Sequence, residues 1–242
     1  MEFNIIMEGN LLRYEKQICD LSDFISVVSN FKEYVPKKNR SEELEGKVGK
    51  FPSFIAHFFD LLLHNNLFDV REFCHSYFKK HEKDGKFKRI SDIEFEYRGF
   101  VYRILDLFSH LSRGYPSLLR EFHFYLLFNS MNVSNYSMKY SFELDVFSKF
   151  DYELKHTNSD IPIYIKLYVS SPRSIHYLSK KDTSSNIDAS EEQIYRAVLD
   201  LTNAEKINTI LKNGIFLYSE EHVKKMLLFA DDFYAKFGNV NK

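Results

Sequence analysis

Between residues 138 and 181, a chain otherwise patterned for helices carries one stretch patterned for strands. A change of period from 3.6 to 2 fixes where a sheet can form, so this stretch limits what the rest can pack around. Residues 140–147, 151–154 and 162–169 read as three strands in succession. In the last, Ile163, Ile165, Leu167 and Val169 share one side while Tyr164, Lys166 and Tyr168 share the other. The expected class is α+β, a helical N-terminal portion followed by a small mixed sheet flanked by helices. The charged turn at Asp84-Gly85 places a boundary near residue 90, giving regions 1–90 and 91–242.

Apolar spacing predicts helices over residues 11–30, 52–65, 70–81, 97–111 and 116–128, with a stop at 112–116 where Pro116 opens the last of them. Residues 36–50 read as an exposed loop or a short polar helix, and 180–190 as a polar loop. Ser190 to Gln193 forms the pattern of a capping box for a helix through Leu201, and residues 203–213 read as a helix closed by Gly214. Residues 215–218 read as a short strand, and Ser219 caps a helix over 220–237 that stops at Gly238.

Composition narrows the classes. With 24 Phe, 16 Tyr and no Trp, the core is expected to be filled by aromatic rings. The net charge of -1 means that a nucleic-acid partner would have to be held by a local patch rather than by overall charge. Cys19 and Cys74 are too few for a disulfide framework and lack the paired spacing of a zinc site. The longest apolar run, residues 58–63, is interrupted by Asp60, and MEFNIIMEGN has acids where a signal peptide needs lysine or arginine. A cytoplasmic protein with no membrane partner is the expectation.

The residues that carry chemistry fall in and before the strand stretch. Glu121 lies on the helix over 116–128, Asp151 starts one strand and Lys166 sits in the middle of the next. Carboxylates hold hard divalent cations, and a nearby ammonium neutralises charge developing on a phosphate. The order of helix with acid, hairpin with aspartate and strand with lysine resembles the core of the PD-(D/E)xK nuclease superfamily, the restriction-endonuclease-like fold. The likeness spans about residues 115–181, under a third of the chain. It implies a nuclease hydrolysing phosphodiester bonds in DNA with Mg²⁺ or Mn²⁺. Asp151, Lys166 and Glu121 would be catalytic, and Asp151, Glu121 and Asp145 the metal ligands. The chain departs from the pattern at Tyr164, which stands where the family has its second acid, two residues before the lysine. A rival assignment takes Glu153 and Lys155 as the acid and lysine, with Asp145 as the aspartate.

Residues 161–181 contain no acid after Asp160 but include Lys166, Arg173, His176, Lys180 and Lys181, with Tyr164, Tyr168 and Tyr177 between them. Cations bind phosphates and phenol rings stack on bases, so Arg173, Lys180, Lys181, Tyr168 and Tyr177 are the candidate nucleic-acid contacts. DNA is expected ahead of RNA, with a second copy of the chain as a further partner. The alternative is a catalytically inactive nuclease-fold protein that binds nucleic acid or a host protein, as a phage or mobile-element factor would. His123, His156 and His176 have no ligand-like spacing and read as satisfied or solvated side chains.

Overall fold

The computed structural model describes residues 3–5, 14–16, 20–31, 33, 51–63, 69–141, 144–145, 150–170, 189–201 and 210–238. In chain order the elements are β1 (Phe3–Ile5), β2 (Tyr14–Lys16), α1 (Leu21–Ser29), α2 (Phe54–Leu63), α3 (Val70–Lys83), β3 (Lys88–Arg89), β4 (Glu94–Tyr97), β5 (Phe100–Arg103), α4 (Ile104–Ser130), β6 (Tyr136–Lys139), β7 (Tyr152–His156), β8 (Ile163–Ser170), a 3-10 turn (Glu191–Gln193), β9 (Ile194–Asp200), β10 (Ile210–Lys212), β11 (Ile215–Leu217) and α5 (Glu220–Phe237). The chain is a mixed α+β protein that divides into two compact units. One, the sheet unit, comprises Met1–Ile25, Arg120–Lys212 and Phe216–Lys242; the other, the aromatic unit, comprises Ser26–Leu119 and Asn213–Ile215. The turn at Asp84-Gly85, where the sequence suggested a boundary, lies inside the aromatic unit.

In the aromatic unit, α3 starts at a capping box: Asp69 accepts from the main chain of Arg71 and Glu72 at 2.9 Å, and Glu72 accepts from the Asp69 main chain. Gly85 then takes a positive φ of 70° that an L side chain would resist, reversing the chain into the antiparallel sheet β3-β4-β5. Its core is built from rings. Phe58, Phe73 and Tyr115 meet at 5.1–6.1 Å between centroids, and Phe95 touches Phe51, Phe78, Phe87 and Tyr102.

In the sheet unit the strands run in the order β6-β7-β8-β9, antiparallel at the first two junctions and parallel at the third. One face buries Met138, Tyr152, Leu154, Ile163, Ile165, Ala197 and Leu199. The C-terminal half of α4 covers it, where Tyr125 stacks on Tyr152, and so does α5, where Phe229 meets Tyr195. The opposite face carries Lys139, Glu153, Tyr164, Lys166 and Arg196 in register.

Several sequence expectations are corrected here. The first strand of the sheet is residues 136–139, not 140–147, because Ser141 caps a helical turn: its Oγ accepts from the Leu144 main chain at 3.0 Å and its carbonyl from that of Asp145 at 3.1 Å. Helix 11–30 shrinks to α1, started by Asp20, while residues 14–16 pair with β1. Residues 100–103 form β5 rather than the start of a helix, and α4 runs without a break through Pro116. Proline removes one helical hydrogen bond, but a helix buried on both sides of it keeps its course. Gly114 there lies so close to Phe54 that an added Cβ would stand 2.8 Å from the ring. Ser190 and Gln193 do make reciprocal main-chain bonds, yet a strand follows, because β9 finds a parallel partner in β8 over seven residue pairs. Residues 210–212 are a strand that Asn213 and Gly214, with φ of 46° and 79°, turn back into β11. Residues 36–50 and the loop 180–188 lie outside the described residues.

Candidate functional site

The β7/β8 register decides which site residues meet. Tyr152 pairs with Ile165, Glu153 with Tyr164 and Leu154 with Ile163, and the regular register ends there, just after Asp151. The Asp151 main chain donates to the Ile165 carbonyl at 2.9 Å, and its carboxylate accepts the Leu167 N–H. The aspartate is thereby tied to β8 at the residues on either side of Lys166. Asp151 is 9% exposed and Lys166 4%, a pair of ionisable side chains withdrawn from water. Burial of this kind is costly unless the charges are compensated.

Phe150 supplies part of that compensation. The Lys166 ammonium lies over its ring at 4.7 Å from the centroid, and the same ring stacks on Tyr164 at 4.8 Å. Phe150, Leu144 and Ile194 form a small apolar cluster against which Tyr164 packs. The Lys166 face is thus covered here rather than solvated. Glu153, paired with Tyr164 across the ladder, forms an ion pair with Lys155 at 3.2 Å, on the one face that alternation assigns them.

Glu121 arrives from the other face. The Tyr152 hydroxyl donates to the Glu121 carbonyl at 2.6 Å, tying α4 to the side of β7 opposite the Lys166 side chain. Burial, then the charges of Glu121, Asp151 and Asp145 among others, hold the Tyr152 phenol well above its ordinary range. Tyr140 is raised too, by burial first and then by Asp145 and Glu121, and its hydroxyl donates to Asp145 at 3.2 Å. Glu121 and Asp145 therefore act on both phenols, and Asp151 on Tyr152 alone. All are hard oxygen donors of the kind magnesium takes. Among the described residues, however, no three Asp, Glu, His or Cys side chains stand close enough to hold one ion.

Of the candidate nucleic-acid contacts, Tyr168 is half-buried and its carbonyl accepts from the Tyr218 hydroxyl at 3.4 Å. Arg173, Tyr177, Lys180, Lys181 and His176 lie outside the described residues. His123 is neither satisfied nor solvated: it is 1% exposed, neither ring nitrogen has a hydrogen-bond partner among the described residues, and burial lowers its pKa to about 4. His156 accepts the Asn158 N–H on Nδ1 at 3.1 Å. The sequence reading passed over Phe150 and Tyr152, although each adjoins Asp151; an aromatic on either side of an acid is the signal that pointed to them. Among the described residues no helix is long and apolar enough to cross a membrane. Comparisons with family models, with curated proteins and with solved structures find no match to this chain.

Proposed function

We propose that this chain is a nuclease of the restriction-endonuclease-like type, hydrolysing phosphodiester bonds in DNA. The observation that carries the reading is the bond from the Leu167 N–H to the buried Asp151 carboxylate, which ties the aspartate to the strand that carries Lys166. The order of helix, strand, strand and strand agrees with the resemblance drawn from the sequence. Asp151, tied through the Leu167 N–H, is the fixed carboxylate, and Lys166, held beneath Phe150, is the cation that the resemblance assigns to the phosphate. Tyr152 keeps its proton and holds the Glu121 segment of α4 against β7. A Mg²⁺ or Mn²⁺ ion held by Asp151 with Glu121 or Asp145 would supply an activated water. The donor type suits such an ion, while the number of donors gathered falls short of three.

A second reading, an inactive relative that binds nucleic acid or a protein, has its own support. Tyr164 replaces an acid, and Phe150 closes over Lys166. The two separate in one experiment, Mn²⁺ calorimetry followed by plasmid nicking and gel retardation. Metal binding with nicking is the expected result. Retardation without either supports the inactive relative, and no effect on DNA retires both nucleic-acid readings.

A further inference from the structure

At the far end of the same sheet, Tyr136, His156, Asn158, Ser159, Asp231, Tyr234 and Gly238 line a cavity of about 280 Å³. We propose that it binds an alkylammonium group. Three rings meet at its wall: Tyr136 and His156 lie 5.1 Å apart between centroids, His156 and Tyr234 5.4 Å, and Tyr136 and Tyr234 6.0 Å. Clustered aromatic faces attract a cation through their quadrupoles, most strongly where water is partly excluded.

The charge at the wall has one sign. Among the described residues Asp231 is the only acid that lines it, and no lysine or arginine does. One carboxylate oxygen accepts the Tyr136 hydroxyl at 2.5 Å, an arrangement that fixes the group without neutralising it. Burial, and then this bond, raise the Tyr136 phenol above its ordinary range, so it remains the donor. Asp231, Tyr234 and Gly238 also belong to the last turns and cap of α5, where Gly238 N–H closes on the Tyr234 carbonyl at 2.8 Å. The C-terminal end of a helix carries partial negative charge that favours cations. An anionic ligand such as a phosphate would meet repulsion from both.

The rings are held in place independently of any ligand. The Tyr234 hydroxyl donates to the Ile161 carbonyl at 2.7 Å and accepts the His156 N–H at 3.2 Å. The Asn158 N–H donates to Nδ1 of His156 at 3.1 Å and holds the ring's orientation. The cavity is at the small end of ligand sites, which suits a single ammonium head with its first carbons.

The test uses the full chain and three probes followed by NMR: choline, its neutral isostere 3,3-dimethylbutanol, and a Gly-Lys-Gly peptide. Saturable shifts of Tyr136, His156 and Tyr234 signals are expected with choline or the peptide at about millimolar affinity. The tighter of these two tells whether a free amine or a lysine side chain is the source. Asp231→Asn keeps an oxygen for Tyr136 and should weaken binding at least about fivefold. Equal binding of the neutral alcohol, an unchanged affinity in Asp231→Asn, or no shift with either cation would overturn the proposal.

Discussion

The two units use the same aromatic composition in opposite ways. In the aromatic unit, rings pack on rings and the buried polar groups include the neutral imidazoles of His57 and His81. In the sheet unit, tyrosine hydroxyls reach carbonyls and carboxylates, and the buried polar groups include Asp151 and Lys166. Apolar packing is enough to build a fold, whereas withdrawing ionisable groups from water adds a cost that folding alone does not require. The contrast singles out the β7/β8 end as a place where ionisable groups are withdrawn from water.

Four changes sharpen or break this contrast. The largest loss is expected from Phe95→Ala, which empties a fully buried site among four rings and should cost about 4 kcal/mol by chemical denaturation. Lys166→Met should cost about 3 kcal/mol, because it removes the buried cation next to the residue whose N–H holds the buried Asp151 carboxylate. In an Asp151→Asn background much of that loss should disappear, whereas additive effects in such a double-mutant cycle would show that the two do not interact. Acid should act next. Burial lowers His57 and His81 from 6.5 to about 4, so the unfolded chain takes up protons below pH 6.5 that the folded one refuses until about 4. Stability contributed by neutral imidazoles is present above pH 6.5 and is lost as pH falls toward 4. Chemical denaturation should therefore show lower stability at pH 5 than at pH 7, and equal stability would count against the assignment. The smallest effect is Lys224→Ala, which removes an exposed ion pair to Glu220 one helical turn away and should cost about 0.3 kcal/mol.

What the sequence disclosed followed from local signals. Ser219 reads as the cap of the last helix, and α5 begins there. Alternation in β8 likewise assigned Lys166 its side of the strand. The failures were of partners that lie far along the chain. Nothing near Ser190 says that β8 offers a parallel edge, so a capping box read as a helix and became one turn before β9. Nor does Pro116 reveal that the surrounding helix is held by packing on both sides of it. At the candidate site, the aspartate and lysine were legible from spacing, but the face on which Glu121 arrives depends on which side of the sheet α4 covers. Burial of Lys166 beneath Phe150 required the third dimension altogether.

The most direct test of the nuclease reading is the rate of plasmid nicking in Mn²⁺ by the wild-type chain and by Asp151→Asn, with thermal melting as a check on folding. The substitution keeps an oxygen for the Leu167 N–H and removes only the charge. A nicking wild type and a folded variant slower by about a hundredfold or more are expected. Equal rates in the two proteins would contradict the role given to Asp151.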